Sequence, residues 1–158
     1  MKKRSIALFV LLLIIPCIMV AFTQTREEKA FQYEISQISS SLEVIIQNSH
    51  RFFDELSTEY AFNIAGELSN IQMTLGKIHS QHRNLSSEPS AKISKYADLM
   101  NGLFSQLEAA SQIACIENIF HATETFDTTL RSVETVTSDA FSQSVMQFVS
   151  NLYAFPLE

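Results

Sequence analysis

One ladder constrains this chain more than any other feature. Stepping in threes and fours from Phe31 meets Ile35, Ile38, Leu42, Ile45, Ser49, Phe52, Leu56, Tyr60, Ile64, Leu68, Ile71, Leu75, Ile78, His82 and Leu85. Fourteen of these sixteen positions are apolar, and fifteen steps cover 54 residues, a mean spacing of 3.6. That is the period of a straight α-helix turning one face to a core. The opposite face carries Ser36, Ser40, Gln47, Asp54, Thr58 and Ser69, as a solvated face should. Ser39–Ser41 and Asn48-Ser49-His50 are poor helix formers, and a turn near Asn48 would divide the stretch. The ladder keeps its phase through both, so the spacing predicts one long helix over about residues 26–84. Between Tyr60 and Leu75, Phe62, Ala65 and Met73 add apolar side chains away from the ladder. A helix apolar on two sides is buried on two sides. These three residues are therefore the expected interaction surface.

Asn84-Leu85-Ser86-Ser87-Glu88-Pro89-Ser90 is the clearest break, because Pro89 biases its predecessor away from helical backbone and Ser90 can cap the next helix. A loop is expected at 85–90. Ile93, Tyr96, Met100, Leu103 and Leu107 then share a face, whereas Ile113, Ile116, Phe120 and Leu130 lie roughly opposite it. The phase flips near Ala109–Gln112. Thr135, Val136 and Thr137 mark another boundary, with Ser138 or Asp139 as a cap. Helices are expected over about 91–109, 111–135 and 138–154. The fold class is all-α: an elongated helical bundle or helical hairpin built on one long N-terminal helix, with a hydrophobic leader helix before it.

That leader is Lys2-Lys3-Arg4 followed by Ile6–Phe22 without a charge. A basic end and an apolar run direct the rest of the chain across a membrane. Residues 1–23 read as a signal peptide, or as a membrane anchor if uncleaved. Residues 24–158 read as a single extracytoplasmic helical domain, periplasmic, secreted or tethered. Pro16 before Cys17 argues against a lipoprotein cleavage box. Without the three leader cations, 8 basic side chains face 17 acidic ones, a net −9. A body of that charge repels nucleic acid, so no nucleic-acid partner is expected.

Chemistry leaves few traces. Three glycines in the whole chain exclude a phosphate-cradling loop. Glu117, His121 and Glu124 fall on one helical stripe, a candidate metal or proton site, although a solvated polar face has the same pattern. His79 and His82 stand one turn apart and form a second metal candidate. Cys115, alone in the body, reads as a buried apolar side chain, with an intermolecular disulfide as the other reading. No catalytic constellation emerges and no cofactor is implied. The expected function is a non-catalytic exported interaction or scaffold protein that works through helix–helix contacts with a protein partner or with itself. The alternative is a metal- or small-ligand-binding bundle of sensor or carrier type.

Overall fold

The computed structural model describes the backbone of residues 2–81, 85–132 and 135–157, and the side chains of these from Phe22 on. Among the described residues the chain is all-helical: α1 (Lys2–Glu55), α2 (Thr58–Gln81), α3 (Glu88–Leu103), a 3₁₀ turn (Phe104–Gln106), α4 (Ala109–Arg131) and α5 (Ser138–Leu152). The expected all-α class with a long first helix is thus the one adopted. The chain divides into two compact units, residues 1–33 and 34–158. In the first, Phe22 and Tyr33 are exposed. The expected export leader of residues 1–23 rests on side chains that, up to position 21, lie outside the described residues. Among the described residues no helix is long and apolar enough to cross a membrane.

Within the second unit the long-helix expectation needs correcting. α1 stops at Glu55 and α2 begins at Thr58. Leu56 takes a left-handed backbone with φ 52°, and the Ser57 hydroxyl accepts from the amide of Glu59 (3.4 Å), opening α2. The Asn63 side-chain amide then donates to Oδ1 of Asn48 across 3.5 Å. In a straight helix residues fifteen apart would be separated by ~22 Å, so the chain has doubled back. Phase continuity was blind to this. A 3.6 ladder reports which face is buried in each helix and carries no information about reversal of the axis. The weak segment at Asn48-Ser49 is helical after all, because Asn48 donates to the Val44 carbonyl (2.8 Å) and Ser49 to that of Ile45 (2.9 Å). Polar side chains that bond one turn back are tolerated inside a helix.

The ladder forms the core on both sides of the turn. Ile38, Leu42 and Ile45 on α1, and Ile64, Leu68 and Ile71 on α2, are fully buried. From Glu34 on, α1 meets α4 through edge-to-face rings of Phe53 and Phe120 and an ion pair between Glu43 and Arg131 (3.6 Å). Phe52 packs edge-on to Phe104 at 5.7 Å between ring centres. α2 and α3 are tied where the Ser90 hydroxyl donates to the Gln72 carbonyl (3.1 Å). α4 and α5 are joined by stacked rings of Phe126 and Phe148, 4.9 Å apart.

The later boundaries shift for physical reasons, α3 running over Glu88–Leu103 where 91–109 was expected. Ser87, not Ser90, takes the cap position of α3, and Pro89 sits in the first turn. A proline is at ease there because its missing N–H would have had no partner in the helix. The phase flip comes from an actual break: Leu107 and Glu108 are extended, with ψ 147° and 152°. α4 therefore starts afresh at Ala109 with a new buried face. Thr137 caps α5 instead of Ser138 or Asp139, its hydroxyl accepting from the Ala140 amide at 3.3 Å.

Candidate functional site

Among the described residues the candidate metal ligands do not converge. Glu117, His121 and Glu124 are exposed side by side on α4, and Nδ1 of His121 lies 3.8 Å from the Glu124 carboxylate. That is a solvent-exposed polar contact, of the kind worth little. Among the described residues no three His, Cys, Asp or Glu side chains gather as a metal would need. His79 is half-buried, and its Nδ1–H donates to the carbonyl of Leu85, which engages the ring in joining α2 to the approach to α3. His82 lies outside the described residues.

Cys115 has no exposed surface. Burial, the leading cause, pushes its thiol up to about 11, against a weaker lowering by the Tyr96 hydroxyl. A buried protonated thiol is neither a nucleophile nor accessible to a thiol of another chain, which overturns the intermolecular disulfide. Cys115 belongs instead to a polar node that sequence reasoning missed. The Tyr96 hydroxyl lies 4.0 Å from its sulfur and donates to the Phe155 carbonyl (3.4 Å). Burial raises the phenol's pKa well above its usual value, and Cys115 adds to the shift. The Asn118 amide donates to the carbonyls of Asn151 and Leu152 (3.1 and 3.0 Å), satisfying the end of α5. Tyr153 donates to the Lys92 carbonyl at 3.0 Å. This node fastens the C-terminal segment to α3 and α4. Its partners lie 19 to 61 residues apart in sequence, so no local pattern announces it.

The expected interaction residues separate into two groups. Ala65 has no exposed surface and belongs to the core, correcting its assignment to the outer face. It lies about 60° around the helix from Phe62, toward the buried ladder. Phe62 and Met73 are indeed outside, 40% and 55% exposed. Eleven residues apart, they stand within about 20° of each other around the axis. Along the same strip lie Gly66, Ser69 and Gly76, and a methyl group added to either glycine would meet nothing within 4 Å. The rim carries Glu59 and Lys77, both exposed. The result is a charge-free strip of apolar and small residues on the side of α2 away from its core. Comparison with protein-family models, curated proteins and solved structures finds no match.

Proposed function

We propose that the chain is a non-catalytic interaction or scaffold protein, exported by its leader, that works through helix–helix contacts on the outward side of α2. The observation that carries this reading is the exposure of Phe62 and Met73 on a helix whose other face is fully buried at Ile64, Leu68 and Ile71. Scattered apolar residues on a surface are ordinary, but an aligned pair with only small residues between them offers a helix a place to lie. Among the described residues no comparable case exists for the ligand-binding alternative, since Glu117, His121 and Glu124 are exposed and His79 is engaged in a local bond.

The test is cross-linking in intact cells that express the chain. Met73→Asp should abolish the cross-linked species while leaving the protein folded, whereas His121→Ala should retain it. A parent-like pattern from Met73→Asp together with loss in His121→Ala would reverse the assignment. For export, a reporter fused after Glu158 should be active outside the cytoplasm, and acidic replacements of Lys2, Lys3 and Arg4 should block it. Cytoplasmic activity of the unaltered fusion refutes that part.

A further inference from the structure

We infer that the partner of the α2 face is the same face of a second copy of this chain, the two helices running antiparallel about a twofold axis near Glu67 and Leu68. This rests on the helix-contact reading above and gives it a partner. With the charges of its rim, the strip reads, in order, Glu59, Phe62, Gly66, Ser69, Met73, Gly76 and Lys77. Folded about its middle, it complements itself. Phe62 falls opposite the second copy's Met73, Gly66 opposite its Ser69, and Glu59 opposite its Lys77, each within one residue, or ~1.5 Å, of level. A twofold axis makes every one of these contacts twice.

The pairings are chemically apt. A thioether beside an aromatic ring is a favourable contact. Gly66 and Ser69 at the middle let two backbones approach closely. The Ser69 hydroxyl already donates to the Ala65 carbonyl (3.0 Å), so it brings no unpaired donor into a dry contact. Gly66 and Gly76 otherwise lack a reason in this fold. A glycine within a helix costs about 1 kcal/mol relative to alanine, and nothing among the described residues fills the space left by either missing side chain.

Charge selects the antiparallel arrangement. Glu59 and Lys77 are eighteen residues apart, about five full turns, so they stand on the same flank of the strip. Residues on one flank meet each other across an antiparallel pair. In a parallel pair they would lie on opposite rims and remain unmatched. α2 carries three charged side chains, and the third, Glu67, stands apart from the strip and accepts from Asn70 (3.2 Å). Size sets the strength. From Glu59 to Lys77 the strip is ~27 Å long and buries far less than the ~800 Å² per partner of a stable complex. The dimer should therefore be weak and reversible, forming at micromolar concentrations or above.

The full chain should show concentration-dependent dimerisation in sedimentation at low salt. Glu59→Lys and Lys77→Glu should each weaken it several-fold, since each creates two like-charge contacts. The double variant Glu59→Lys with Lys77→Glu should return to the parent's affinity. In a Cys17→Ser background, mixing a Glu59→Cys chain with a Lys77→Cys chain should give crossed disulfide dimers that neither chain forms by itself. Circular dichroism confirms that each variant is folded. A double variant as weak as the single ones, or no crossed disulfide, overturns the antiparallel dimer. A parent that stays monomeric while Met73→Asp still loses a cross-link to a different protein refutes self-pairing and spares the helix-contact reading. A monomeric parent with an inert Met73→Asp removes both.

Discussion

Leu56 is the residue at which the ladder and the chain part company. It holds a rung position by spacing, yet it is 57% exposed and has the positive φ that reverses the chain. For a side-chain-bearing residue that conformation costs roughly 1–2 kcal/mol, which glycine does not pay. Glycine's greater freedom in the unfolded chain returns roughly 0.4–1 kcal/mol of that gain. Leu56→Gly should therefore stabilise the fold by about 0.5–1 kcal/mol, raising the thermal midpoint by a few degrees. A lower midpoint would mean that the Leu56 side chain contributes more contact than its exposure suggests. The sequence held a clue to this turn. Ser57 followed by Thr58-Glu59 is a cap with an acid in the first turn, the same signal that placed later helix starts. The ladder's phase runs unbroken through the turn, so spacing alone does not reveal it.

At the scale of elements, what periodicity reports was legible: which residues are helical and which face each helix buries. Ile64, Leu68 and Ile71 on α2, and Ile93, Tyr96 and Met100 on α3, are buried where the pattern set them. The flip of face before α4 was legible too, because a change of phase needs a physical break, and extended Leu107 and Glu108 provide it. The reversal between α1 and α2 was not, since it occurs without a phase change. The same limit divided the candidate interaction surface. Phe62, Ala65 and Met73 all lie off the ladder's centre line, but Ala65 sits at its margin, where packing by neighbouring helices decides burial. No count along one helix contains those neighbours. The Tyr96–Cys115–Asn118 node lay beyond reach for the same reason, being made by three elements that meet only in the folded chain.

For the molecule as a whole, that node ties stability to pH. The Cys115 thiol has its pKa pushed up from 9.0 to about 11, and the Tyr96 phenol is raised as well, both chiefly through burial. Both groups ionise to anions, so a raised value means that the folded chain holds the proton more tightly than the unfolded one. Below about pH 9 the thiol is protonated in both states and its contribution is fully present. Between pH 9 and about 11 the unfolded chain loses the proton and the folded chain keeps it, so stability falls with rising pH. For Cys115 a shift of this size corresponds to on the order of 2–3 kcal/mol, with Tyr96 extending the loss to higher pH. The acidic surface adds repulsion as lysines discharge, so a fall in the parent does not identify its source. Cys115→Ala does. It should be less stable than the parent at pH 7, through a lost contact and a small cavity. Its thermal midpoint should fall less steeply between pH 9 and 11, because no thiol remains to ionise on unfolding. Midpoints of both proteins at half-unit steps from pH 7 to 11.5 make the comparison. Parallel curves would show that the buried thiol contributes nothing to alkaline unfolding and would leave surface charge as its cause.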